Sequence, residues 1–227
     1  MEFLIALTSI MMVNIVLSGD NAVVIAMSSR ALPAKQQKKA ILWGSAGAIG
    51  LRILLTFVAI ILLQIPFLQF TGGVLLVWIA VKLLVEHNEE EKIEASSSMW
   101  KAIKTIIVAD LVMSLDNTLA IASIANGDIM LLATGLLLSI PLITFGSNML
   151  IKIMDRFPVI VYIGAALIAW TAGEMMLKDR QIGPVIHHYV PEWLLPAVIT
   201  ACVVGTGIWW NKLRSSAQSS VSEEIEY

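Results

Sequence analysis

Two short stretches combine a hydroxyl, a carboxylate and an amide in otherwise apolar surroundings: "LSGDN" at 17–21 and "MSLDN" at 113–117. Each reads Ser-x-Asp-Asn, giving Ser18, Asp20 and Asn21 in the first and Ser114, Asp116 and Asn117 in the second. A carboxylate within hydrocarbon costs about 2.5–3.5 kcal/mol on insertion scales, so such residues are rare and mark function by default. All three side-chain types offer hard oxygen, which suits Mg²⁺, Ca²⁺ or Mn²⁺ rather than thiolate-seeking metals. Two facing aspartates repel unless one is protonated or a cation lies between them. Two ionised aspartates neutralise one divalent cation, and the flanking amides and hydroxyls complete an oxygen cage.

Helical phase extends the set. Asn14 lies seven residues before Asn21, and Asp110 seven before Asn117, so each shares a face with its partner. Asp110 is a candidate third carboxylate on the path, replacing Asn14 of the first stretch. Met27 and Met113 lie near the aspartates in helical spacing; a thioether there would favour Mn²⁺, although methionine is also common packing filler. Gly19 either loosens the helix at Asp20 or lets two helices approach closely.

Three further charges fall in apolar runs. Arg52 needs a carboxylate partner, with Asp20, Asp110 and Asp116 as candidates. Lys82 can snorkel to an interface. Glu174 does so less easily and is a candidate guard of the outer exit. All three are read as transport-supporting residues.

The elements that carry these residues are membrane spans. The chain of 227 residues is 58% hydrophobic and 14% charged, against about 25% charged in soluble domains. Seven apolar stretches approach or exceed the roughly 20 residues that a spanning helix needs: 3–27, 41–63, 67–86, 102–125, 129–151, 158–177 and 193–211. With no basic leading segment and Asp20 inside it, the first stretch reads as a span rather than a cleaved signal. Lys and Arg cluster at 30–39, 92–104, 152–156 and 212–214. The positive-inside rule then puts the N-terminus outside and the C-terminus in the cytoplasm of a bacterial plasma membrane.

The chain also repeats itself. "NIVLSGDNAVVIA" (14–26) aligns with "DLVMSLDNTLAIA" (110–122), and "QIPFLQFTGGVLLVWIAVKLL" (64–84) aligns with "RFPVIVYIGAALIAWTAGEMM" (156–176). Three spans per copy force the second copy to enter the membrane inverted, an arrangement common in secondary transporters with midplane sites. The expected fold is therefore an all-α membrane protein of seven transmembrane helices: two inverted three-helix repeats plus a seventh helix. The expected segments are a first repeat at 1–86, a cytoplasmic linker at 87–101 and a second repeat at 102–180. An outer loop and seventh helix follow at 181–211, then a polar, disordered cytoplasmic tail at 212–227. Asp20 and Asp116 fall near mid-span, where the two-fold axis would bring them face to face.

Other classes are disfavoured. The net charge of −2 gives no footprint for nucleic acid. Cys202 has no partner for a disulfide, and His87, His187 and His188 are expected in loops, where neighbouring histidines are usually solvated. No Walker-type phosphate loop occurs. Neither motif has the Gly-x-Gly-Asp context of intramembrane aspartyl proteases, so an enzyme is not expected.

The paired motifs "SGDNAVVIA" and "SLDNTLAIA", each heading a three-helix unit and followed by a seventh span, resemble the TerC family of bacterial integral membrane proteins, within the wider LysE-type transporter superfamily. The resemblance covers residues 1–180. It implies a seven-helix membrane protein, some members of which export Mn²⁺, with Asp20, Asn21, Asp116 and Asn117 binding the ion. The expected function is export of a divalent cation, most often Mn²⁺, by a secondary transporter, with proton exchange at the coupled aspartates. No tightly bound cofactor is expected; Mn²⁺ is the substrate. The alternative is an accessory membrane protein that delivers metal to secreted enzymes or to an export complex. Partners are the bilayer and a divalent ion, with a homodimer or a membrane-complex partner left open.

Overall fold

In the computed structural model the described residues are 2–62, 64–86, 95–125 and 128–225, and all regular structure among them is helical. The elements are α1 (Glu2–Leu17), α2 (Gly19–Ser29), α3 (Ala34–Leu62), α4 (Leu68–Glu86), α5 (Ala95–Ala125), α6 (Ile129–Arg156), α7 (Val159–Leu177), α8 (Gly183–Tyr189) and α9 (Leu194–Ile225). A helix satisfies its own backbone hydrogen bonds, so long apolar runs in lipid have little alternative. Five of these helices are long and apolar enough to cross a membrane, six if the bent pair α1–α2 is one span. The remaining expected span, 102–125, falls within α5, where the side chains of Asp116 and of residues 119–125 lie outside the described residues.

Large apolar side chains cover the outside as well as the inside. Trp43, Phe57, Phe145, Ile163 and Trp209 are all more than half exposed, which in water would be a liability and in acyl chains is the favoured state. The main core joins α2, α4, α5 and α7 through Val24, Leu76, Ile79, Ala109, Val161 and Ile168. Close approach depends on small residues. A Cβ on Gly72 of α4 would lie 2.7 Å from Met175 and 2.9 Å from Val112, and one on Gly164 of α7 would lie 2.8 Å from Val23 and 3.0 Å from Met27. Thus α4 packs on α5 and α7, while α7 packs on α2. In the same way α3 lies along α5, and α6 along α1 and α2.

Turn chemistry secures the ends. Asp128 caps α6 by accepting from the Leu131 N–H at 3.0 Å. Buried Asp179 accepts from the N–H groups of Phe70, Gln181 and Ile182, tying the start of α4 to the start of α8. Phe67, just ahead of α4, has φ 61°, a left-handed turn that lets α4 restart after the Pro66 break.

Several expectations are corrected. The basic stretch 34–39, left outside the expected span 41–63, forms the first turns of α3; Lys and Gln are good helix formers, and Pro33 precedes them. The tail expected to be disordered continues α9 to Ile225, because its Ser, Ala, Gln and Glu residues contain no Pro or Gly to stop a helix already nucleated in the membrane. His187 and His188 lie on the short helix α8, not in an open loop. Within the linker, residues 87–94, including His87, lie outside the described residues, and 95–101 already belong to α5.

Candidate functional site

The first motif sits at a break. Ser18, at φ −108° and ψ 12°, separates α1 from α2, and the two helices bend by 54°. A Cβ built on Gly19 meets nothing within 4 Å, so close helix packing does not require this glycine, and the helix breaks one residue before it, at Ser18. A break leaves the last carbonyls of α1 and the first N–H groups of α2 without intrahelical partners. Asp20 turns its carboxylate onto this end, accepting from the Asn21 N–H at 2.9 Å. The second motif has Leu115 in place of Gly19, and α5 runs unbroken through it.

Beside the break lies a buried polar network centred on Arg52 of α3, which is 2% exposed. Its Nη2 donates to Asp110 Oδ1 at 2.6 Å and its Nε to Ser114 Oγ at 2.9 Å. Its Nη1 donates to Asn14 Oδ1 and, at 3.1 Å, to Ser18 Oγ. The hydroxyls pass the pattern on: Ser18 donates to Asn14 and Ser114 donates to Asp110, each at 3.2 Å. The positions that the sequence alignment equates, 14 with 110 and 18 with 114, therefore meet on the two sides of one guanidinium. Between the two candidates whose side chains are described, Asp20 and Asp110, Arg52 pairs with Asp110, because the planar fork can reach α5 and the end of α1 at once; the side chain of Asp116 lies outside the described residues. Asn21 Nδ2 also donates to Asp110 Oδ1, at 2.8 Å. Among the described residues, two amide atoms of this region are buried without a partner, Asn14 Nδ2 and Asn21 Oδ1.

A cavity of about 440 Å³ opens next to the network between α2, α5 and α7. Its walls include Gly19, Asp20, Met113, Asn117, Glu174 and Lys178. Asp20 and Asn117, one from each motif, thus border the same space. Arg52, Asp110, Asn14 and Asn21 do not border it. The side chain of Asp116 lies outside the described residues, and its place on α5, one residue before Asn117, is all that is described. Among the described residues no three His, Cys, Asp or Glu side chains gather into a cluster.

A second cavity, of about 420 Å³, shares Glu174 and Lys178 with the first and continues to Trp170, Glu192, Trp193 and Pro196. Glu174 therefore stands between the two spaces, with its Oε1 accepting from the Trp170 indole N–H at 2.8 Å. Lys82 borders neither cavity; its ammonium lies 5.1 Å over the Trp78 ring. Met27 packs in the main core, and Met113 borders the first cavity.

The residues that sequence reasoning passed over are Lys178 and Trp170. Their signal was local: 170, 174 and 178 are four apart on α7 and its C-cap, so they share one face. Asp179 was also missed, because its partners are backbone N–H groups that leave no trace in residue types.

Comparison with known proteins agrees with this architecture. The model of the integral membrane protein TerC family matches residues 1–218. The chain is 41% identical over 213 residues to the uncharacterized membrane protein YjbE of Bacillus subtilis, covering 93% of this chain and 98% of that one. It is 23% identical to two further uncharacterized membrane proteins of the same organism. For YkoY the match covers 82% of this chain and 67% of that one, and for YceF 96% and 87%. No solved structure matches. With a family model matched over nearly the whole chain and a bundle of long apolar helices, the chain belongs to the TerC family of multi-pass integral membrane proteins.

Proposed function

We propose that this protein is a secondary transporter that exports a divalent cation, foremost Mn²⁺, through the cavity between α2, α5 and α7. The observation that carries this reading is that Asp20 and Asn117, from two separate motifs, border one cavity inside the bundle. Asp20 brings charge, Asn117 an amide, and Asp116 a second carboxylate on α5 one residue away. Hard oxygen donors favour Mn²⁺, Mg²⁺ or Ca²⁺, and the Met113 thioether at the cavity wall tilts the preference toward Mn²⁺. Asn21, one residue from Asp20 but not at the cavity wall, joins this set, while Asn14 and Asp110 support it from behind through Arg52.

The proposed arrangement is seven spans built as two inverted repeats plus α9, with α1–α2 and α5 as the two broken and unbroken copies of one helix. Its support is the packing: α3 meets α5 as α6 meets α1 and α2, and α4 meets α5 as α7 meets α2. The N-terminus faces outward and the C-terminus faces the cytoplasm, so Glu174 and the second cavity form the outer exit. Protons return through Asp20 as the cation leaves, and no nucleotide is used.

The test is reconstitution. Purified protein in liposomes loaded with a Mn²⁺-quenched fluorophore is expected to move Mn²⁺ down a gradient, and Asp20→Asn and Asn117→Leu are expected to abolish or strongly slow the flux while still inserting. Wild-type flux in both variants refutes the site. The accessory role, metal delivery to a membrane or secreted partner, has one specific observation in its favour: α9 continues as a helix beyond its apolar span, from Leu213 to Ile225, as a docking segment would. Absence of flux from the purified wild-type protein, with Mn²⁺ binding intact, would favour that role.

A further inference from the structure

We propose that the Arg52–Asp110 pair is a positioning relay: it locks the side-chain amide of Asn21 so that the amide oxygen is presented as a ligand to the cation held beside Asp20. This inference rests on the cation reading above and deepens it.

The argument starts from donor and acceptor chemistry. An ionised carboxylate can only accept hydrogen bonds, and a guanidinium can only donate. Arg52 donates to Asp110 Oδ1 at 2.6 Å, which fixes that oxygen as an acceptor. Asn21 meets the same oxygen at 2.8 Å, so the group turned toward Asp110 must be its NH₂. Rotating the amide by half a turn would set oxygen against oxygen. An amide orientation that is usually only an assignment is here dictated by its neighbour.

The other half of the amide is then determined as well. Asn21 is 4% exposed, and its Oδ1 has no hydrogen-bond partner among the described residues. Buried amide oxygens are almost always paired, so an orphan on the residue after Asp20 asks for a positive group that the described residues do not supply. Asp20 is adjacent in sequence and held on the first turn of α2 by the Asn21 N–H. The carboxylate of Asp20 and the oxygen of Asn21 are thereby fixed on one short segment, which the break at Ser18 frees from the regular helix.

Asp110 itself is a poor ligand in this arrangement. Its Oδ1 already accepts from Arg52 and Asn21, and its Oδ2 accepts from Ser114. Its charge is matched by Arg52, and a second cation brought to it would face the guanidinium directly. Asp110 and Arg52 act on the cation through Asn21, as outer-shell groups orient the ligands of other metal sites.

The test measures Mn²⁺ binding to the purified protein in lipid nanodiscs, by the electron paramagnetic resonance signals of free and bound Mn²⁺. Asp20→Asn is expected to lose saturable binding. Asn21→Leu, which keeps the Arg52–Asp110 pair, is expected to bind about 10–100-fold more weakly. The double variant Arg52→Met/Asp110→Leu, which replaces the pair by apolar side chains and releases Asn21, is expected to weaken binding by about the same 10–100-fold while remaining saturable. If Asn21→Leu does not insert, the double variant decides. Wild-type affinity in Asn21→Leu or in the double variant overturns the relay and leaves the cation site standing. Loss in the double variant as complete as in Asp20→Asn makes Asp110 a direct ligand and also overturns the relay. Wild-type binding in Asp20→Asn overturns the cation reading itself.

Discussion

Removing one partner of the Arg52–Asp110 pair should be far more damaging than removing both. Arg52→Met deletes four hydrogen bonds and leaves the Asp110 carboxylate buried, with only Asn21 and Ser114 still donating to it. Breaking a buried ion pair on one side costs about 3–5 kcal/mol, whereas replacing both members by apolar side chains of similar size is often neutral or stabilising. With about 2–4 °C of Tm per kcal/mol for a chain of this size, the single variant should melt roughly 6–20 °C below wild type. Asp110→Leu alone should fall by a similar amount, since it strands the guanidinium instead. The double variant Arg52→Met/Asp110→Leu should recover most of that loss. The assay is a double-mutant cycle on the detergent-purified protein, read by thermal unfolding and by the yield of folded protein in the membrane fraction. A coupling energy near zero, with the double variant as unstable as the sum of the singles, would refute the reasoning. So would a single Arg52→Met variant that melts with the wild type, since a guanidinium with four partners cannot then be what holds α1, α3 and α5 together.

Three further outcomes follow from the same geometry. Gly173→Ala places a Cβ 2.5 Å from Pro196 Cα, a backbone atom that cannot swing away, so it should destabilise the α7–α9 contact by about 1–3 kcal/mol in thermal unfolding. Gly19→Ala meets open space at the cavity wall, so it should leave stability within about 0.5 kcal/mol; a large loss would mean that the break needs glycine for its backbone. Glu174→Gln keeps an oxygen to accept from Trp170 but removes the charge between the two cavities. It should raise the KM for Mn²⁺ flux several-fold while leaving equilibrium Mn²⁺ binding unchanged, and an unchanged KM would remove Glu174 from the path.

Much of this protein was legible as text, for reasons that are local or one-dimensional. Apolar runs of bilayer length need only composition, because a buried backbone in lipid has to be helical wherever the run lies. The paired motifs at 18–21 and 114–117 were visible because identical short strings stand out against an apolar background. The match of position 14 with 110 and of 18 with 114 was readable from alignment alone, and these four residues meet around one guanidinium. The family was readable from the same strings.

Partner choice was not legible. Arg52 had three carboxylates within plausible reach in sequence terms, and only the packing of α3 along α5 brings Asp110 to it. That pairing moves Asp110 from the cavity wall to the supporting network and leaves Asn21 with an unpaired oxygen. The two cavities and the place of Glu174 between them depend on the gaps left where α2, α5, α7 and α9 fail to fill space, and no residue pattern records a gap. The helical tail was misread because polar composition argues for disorder only when nothing upstream has already paid the nucleation cost. Sequence by itself marked the apolar segments of bilayer length and the residues in them that are too polar to be filler. Tertiary structure alone decided which of those residues face each other, because a charge buried in low dielectric is governed by its nearest few ångströms and not by its distance along the chain.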